Sequence, residues 1–355
     1  METKPDGSRP GVVGRPTLRD ALRASVFGSG SLEWVSRKRK RIVQTSLFGG
    51  GLLTGLLFAL FVDQLPEGAL DGPATLIVIV LAVVLLAVYL VHDVTMVFEL
   101  IEKRQTQSDL DLARQIQLRM LPRALPDLPG YAIGVYHEAA RSVGGDAYDV
   151  LRLDDDHVFL TIADVSGKGT AAAMLMSGVL ARTRALARTG MPINEVAARL
   201  SAALDEETET VHFATLVIGV LELSTGILRY VNAGNQPPVI LRRDGSRVEL
   251  GAGGIPVGML PNVTYTPGQA FLGRGDRLIV ATDGVFDADD QGTALLTEDE
   301  LERLLSEDEL PDDGLDRVRR EVRRRTGPTR FDDITVMVVR RVAQASSDAP
   351  AEAVG

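Results

Sequence analysis

Cysteine is absent from the 355-residue chain, and histidine occurs only four times, at His92, His137, His157 and His212. Without thiols there is no disulfide framework, Cys-ligated zinc, iron–sulfur cluster or thiolate nucleophile. The histidines show no HxxxH-type spacing, so carboxylates are left as ligands for any metal, which favours hard cations. Aromatics make up only 5% of the residues and the formal net charge is −10. The one basic stretch has no interleaved aromatics for base stacking, and the acidic remainder repels phosphate backbones, so nucleic-acid binding is excluded. What is plentiful is apolar surface, at 45% of residues, enough to bury a core.

Charge is segregated. Residues 1–41 carry ten Lys/Arg against four Asp/Glu, a net of +6, which leaves −16 for the rest. Directly after Arg37–Arg41 comes the uncharged run Ile42–Val62, and a second apolar run covers Ala74–Val91. Each is long enough as a helix to cross a hydrocarbon core. The loop between them contains Asp63, Glu67 and Asp71 but no Lys or Arg. The positive-inside rule therefore places it outside and both chain ends in the cytoplasm. The expected organisation is a basic tail (1–41), a two-helix transmembrane hairpin (42–92), a linker helix (93–121), a soluble body (122–342) and a disordered tail (343–355). The linker lacks Gly and Pro between His92 and Leu121 and spaces Val97, Ile101, Leu112, Ile116 and Met120 among charges. That pattern fits a short coiled coil in a homodimer or an amphipathic helix packed on the following domain.

In the body, closely spaced apolar segments are joined by turn signals: DVLRL and HVFLTIA, FATLVIGVLEL and ILRYVNA, VILRR and SRVEL. These predict antiparallel hairpins. Helices are expected at Thr170–Arg188, Ile193–Glu206, Thr297–Leu305 and Gly314–Arg325, the third opening with a Thr297/Glu300 capping box. Segregated helices and antiparallel strands make the fold class α+β.

Acid follows apolar strand ends four times. Phe159–Ala163 leads into Asp164-Val165-Ser166-Gly167-Lys168-Gly169, Leu278–Thr282 into Asp283-Gly284, and Asp332-Asp333 precedes the strand Ile334–Val339. The fourth is SVGGDAYD, with Gly144, Gly145, Asp146 and Asp149. Any one of these taken alone is ordinary turn chemistry. Together they suit an oxygen-ligand site for Mg²⁺ or Mn²⁺, whose carboxylates must converge from different strands.

The ordered set LARQIQLRMLP, SVGGDAYD, IADVSGKG, FATL, YVNAGNQPP, GIPVG, ATDGVFDA and FDDIT resembles the PPM-type metal-dependent Ser/Thr protein phosphatases, in their bacterial SpoIIE/RsbU-like branch. The resemblance implies a four-layer αββα sandwich with two Mn²⁺ or Mg²⁺ ions. It also implies hydrolysis of phosphoserine or phosphothreonine by a metal-activated water. Asp164 would bridge both ions with help from the Val165 carbonyl, Asp146 would serve the second ion, and Asp283 and Asp332 the first. Asp333 would be a neighbour of the ligands. Gly144, Gly145, Gly167 and Gly284 would let backbone approach the ions. Asn235 stands where members of this branch often carry histidine, and neither Arg141 nor Lys168 is assigned a catalytic role. The implied substrate is a phosphorylated anti-sigma-factor antagonist with a STAS fold. The reading set against this is a non-catalytic, membrane-tethered interaction module that retains the phosphatase fold.

Overall fold

The computed structural model of the protein describes residues 63–64, 73–207, 212–251, 253–287, 294–306, 310–326 and 332–342. The expected first membrane helix Ile42–Val62, the basic tail and the C-terminal tail lie outside the described residues. The chain divides into two compact units, residues 1–108 and 109–355.

Helix α1, Pro73–Met120, is continuous. It therefore carries the apolar run and the linker segment on one element, as expected for a stretch without internal Gly or Pro. It is long and apolar enough to cross a membrane. Leu76, Ile77, Val80, Leu81, Val83 and Leu85 are all exposed along it, the opposite of a core helix. The helix stops at Pro122, which can neither donate the next backbone hydrogen bond nor fit beside the preceding turn.

The second unit is built on ten strands: β1 Tyr131–Glu138, β2 Asp146–Arg152, β3 His157–Val165, β4 Ala214–Glu222, β5 Ile227–Ala233, β6 Val239–Leu241, β7 Arg247–Glu249, β8 Gly268–Phe271, β9 Arg277–Ala281 and β10 Ile334–Arg341. They form two five-stranded sheets, ordered β1-β10-β9-β6-β7 and β2-β3-β4-β5-β8. Every pairing is antiparallel. Helices α2 Thr170–Ala187 and α3 Ile193–Glu207 cover the second sheet, and α4 Glu298–Ser306 and α5 Pro311–Thr326 cover the first. The Thr297/Glu300 capping box forms at α4, with each residue's side chain accepting the other's backbone N–H at 3.0 and 3.2 Å.

Three apolar cores separate these layers. Phe159 and Ala163 of β3 pack toward α2 and α3, while Val158, Leu160 and Ile162 pack between the sheets against Val280, Met337 and Val339. Val336 and Val338 of β10 face α4 and α5. Because side chains alternate along a strand, each apolar strand serves two cores, and the expected four-layer αββα sandwich results. Continuing the same alternation beyond Ile162 puts Asp164 at the end of the seam between the sheets.

Candidate metal centre

Asp146 and Asp164 are directly opposite each other in the β2–β3 register. Two carboxylates at paired positions repel, so this arrangement does not serve stability. Both lie on the inter-sheet face, and the charge of Asp164 raises the proton affinity of Asp146. Asp149, three residues after Asp146, points to the opposite face and is ion-paired with Arg184 of α2. It belongs to the helix packing and not to the site.

The other sheet supplies hydroxyls. Thr282, just after β9, and Thr335 of β10 donate to the same oxygen of Asp146, at 2.8 and 2.6 Å. Both threonines and Asp146 are buried. Asp283 follows Thr282 in a short 3-10 turn, Asp283–Val285, and is exposed, while Asp332 is half-buried. Lys168 reaches Asp332 with its ammonium at 2.8 Å.

Asp333 uses both oxygens on backbone amides, accepting from Ala140 N–H at 2.7 Å and Gly145 N–H at 2.6 Å. It ties the Gly144–Gly145 loop to the foot of β10. A methyl group on Gly144 or Gly284 would collide with Asp333, and one on Gly145 would lie 2.7 Å from the Val165 carbonyl and 3.3 Å from Asp164. These three glycines are required for the close approach of neighbouring protein groups. Gly167 is not: the space beside it is open, and its φ of 101° is what calls for glycine.

The charges strain one another. Burial, then the Asp164 charge, holds Asp146 well above the usual carboxylate range. Asp164 is pushed up to about 7 by burial and by Asp283, Asp332 and Asp333. Although Asp283 and Asp287 reach the surface, partial desolvation of their carboxyls raises both, helped at Asp283 by Asp287 and Asp332 and at Asp287 by Asp332. The fold therefore brings Asp146, Asp164, Asp283 and Asp332 into mutual repulsion at one end of the seam, and adds Asp287, which the reading of strand ends did not single out. As the side chains stand, no three carboxylate or imidazole groups among the described residues are arranged around a single point for a metal ion. The donor set fits hard cations: all the candidate donor atoms are oxygens, and positive charge would relieve the repulsion that raises these acids.

Asn235 is buried and joins the sheets beside the site. Its side-chain N–H groups donate to the carbonyls of Ala281 and Gln236, both at 2.9 Å, and its oxygen accepts from Thr215 at 3.3 Å. Thr215 is paired across the strands with Asp164. An amide can donate and accept here at once, which accounts for its fit to this position.

The family model described as Stage II sporulation protein E (SpoIIE) matches residues 154–342, more than half of the chain. The chain belongs to the SpoIIE family. Asp164, Asp283 and Asp332 lie inside the matched segment, and Asp146 lies just ahead of it. Protein IcfG of Synechocystis sp. is 33% identical over 276 residues, covering 70% of this chain and 44% of IcfG. Phosphoserine phosphatase RsbU of Bacillus subtilis is 24% identical over 206 residues, covering 58% of this chain and 61% of RsbU. The chain thus spans less than two thirds of either relative. Among solved structures, the PP2C phosphatase domain of Bacillus subtilis SpoIIE, with a fragment of its regulatory domain, superposes with a TM-score of 0.52 at 22% identity. That match covers 61% of this chain and 64% of that one, and it shows a shared fold.

Proposed function

We propose that this SpoIIE-family chain is a membrane-anchored, metal-dependent protein Ser/Thr phosphatase. The observation that carries the reading is the Asp146–Asp164 pair at the end of the inter-sheet seam, crowded by Asp283 and Asp332. Asp146, Asp164, Asp283, Asp332 and the Val165 carbonyl would hold two Mn²⁺ or Mg²⁺ ions, with Asp164 shared between them. When bound, the ions supply Lewis acidity for attack of water on a phosphomonoester and offset the charge of the phosphoryl group. The protein's own part is orientation. Thr282 and Thr335 fix Asp146, Asp333 fixes the glycine loop, and Asn235 holds the two strand ends together. No side-chain nucleophile is needed, in keeping with a chain that has no cysteine.

The similarity to phosphoserine phosphatase RsbU supports a phosphorylated regulatory protein as substrate. By the family resemblance this would be a STAS-domain anti-sigma-factor antagonist in a partner-switching pathway. The apolar part of α1 supports membrane anchoring, and the basic flank of the first apolar run supports a cytoplasmic catalytic body. The division into tail, hairpin, linker helix and catalytic body is kept as part of this proposal, as is a homodimer through residues 93–121.

The Lys168–Asp332 ion pair favours the second reading, a non-catalytic interaction module, because it places an internal cation on a proposed metal ligand. Phosphate release from a phosphoserine protein by the full chain, with Mn²⁺ and with chelator, separates the two. The phosphatase reading expects metal-dependent release that disappears in Asp164→Ala. Release that survives that substitution contradicts it.

A further inference from the structure

His137 sits on β1, paired across the strands with Thr335 of β10, so both side chains project from the same face of the sheet. The imidazole Nδ1 lies 2.9 Å from the Thr335 hydroxyl, and that hydroxyl donates to Asp146 at 2.6 Å. Counting hydrogens decides the direction of this chain. Thr335 has one hydroxyl proton, and Asp146 takes it. The side of the oxygen turned toward His137 then presents only lone pairs, so Nδ1 must carry a hydrogen for the contact to be attractive. With cations bound, Asp146 is a plain carboxylate and can only accept. Burial keeps His137 below its ordinary pKa, against the charges of Asp333 and Glu138, which supports a neutral ring with one N–H to place.

We propose that His137, as its Nδ1–H tautomer, is a positioning residue that locks the Thr335 hydroxyl onto Asp146 and so aims that carboxylate at the cations. The proposal rests on the metal-centre reading above. Supporting partners of this kind orient a ligand without touching the metal. Thr282 supplies the second hydroxyl to the same Asp146 oxygen and leaves the other oxygen for the site.

Two measurements on the full chain in detergent micelles test it. The first is ¹H–¹⁵N correlation through two bonds on ¹⁵N-histidine-labelled protein, which contains four imidazoles, with His137 assigned from the signal lost in His137→Asn. A pyrrole-type Nδ1 is expected, and a pyridine-type Nδ1 would overturn the proposal. The second is Mn²⁺ binding by calorimetry. His137→Ala should weaken binding about tenfold. His137→Asn, which keeps an N–H near Nδ1, should recover most of the loss. Thr335→Val should match His137→Ala, and the double variant should lose no more than either. Unchanged affinity in a folded His137→Ala or Thr335→Val protein would overturn the proposal and leave the metal centre standing. Absence of Mn²⁺ binding by the unsubstituted chain would instead overturn the metal centre, and the assigned role with it.

Discussion

The carboxamide of Gln117 closes on both backbone groups of Gly144, donating to its carbonyl at 2.6 Å and accepting from its N–H at 3.2 Å. Gln117 is a buried residue in the last turn of α1, and Gly144 opens the loop that leads into Asp146. Rotation or displacement of that end of the helix would therefore pull directly on a loop that shapes the proposed metal centre. It is a physical basis for coupling between the linker helix and the proposed metal centre.

Gln117→Leu should uncover this coupling. The substitution leaves two buried backbone groups without partners, a loss of about 1–3 kcal/mol for each. Faster amide exchange from Gly144 to Asp146 and weaker Mn²⁺-dependent phosphate release are expected. Unchanged exchange in that loop would show that the helix contact is passive.

The glycines should separate into two kinds. Gly284→Ala drives a methyl group into the Asp333 backbone, which cannot yield, so Mn²⁺ binding should fall steeply while circular dichroism still reports a folded protein. Gly167→Ala meets no neighbour and strains only its own left-handed backbone, by about 1 kcal/mol. Calorimetric titration of both variants with Mn²⁺ checks the contrast, and equal losses would contradict it.

Acidity follows from Asp164, whose pKa is raised from the carboxylate value to about 7. Between the unfolded value near 4 and about 7 the folded protein holds a proton that the unfolded chain has released. Metal-free protein should therefore lose stability as pH rises from about 4 to about 7, and Mn²⁺ should bind more tightly across the same window because it displaces that proton. Thermal melts with and without Mn²⁺ at several pH values give the sign. A metal-free protein that gains stability across this window would refute the assignment.

Lys168 should behave as a resident competitor. It holds Asp332 in a pair that is about half exposed, so its effect is modest. Lys168→Gln should tighten Mn²⁺ binding about fivefold. No gain should remain in an Asp332→Asn background if the competition acts through that contact, and a persisting gain would assign it to general charge.

Much of this was legible from the order of residues alone. Alternation along Val158–Asp164 encodes both the two-sided strand and the position of its terminal acid on the inter-sheet face. The Thr297/Glu300 box and the turns between hairpins are local, so they could be read locally. The supports of the site could not. Thr282, Thr335, His137 and Gln117 are ordinary residue types, and they acquire roles only through partners between 27 and 198 positions away. Register of β10 against β1 and β9, the packing of one sheet on the other and the docking of the last turn of α1 create those contacts, and no spacing within one segment announces them. Asp149 shows the converse, since an acid in a suggestive motif falls on the wrong face of β2 and pairs with Arg184.

The most direct test of the two-cation centre is the number of Mn²⁺ ions bound per chain, measured by electron paramagnetic resonance titration of the unsubstituted protein and of Asp164→Ala. Two ions with a spin-coupled signal in the former, and loss of that coupling in the latter, are predicted. A single uncoupled ion, or a coupled pair that persists without the Asp164 carboxylate, would contradict the account.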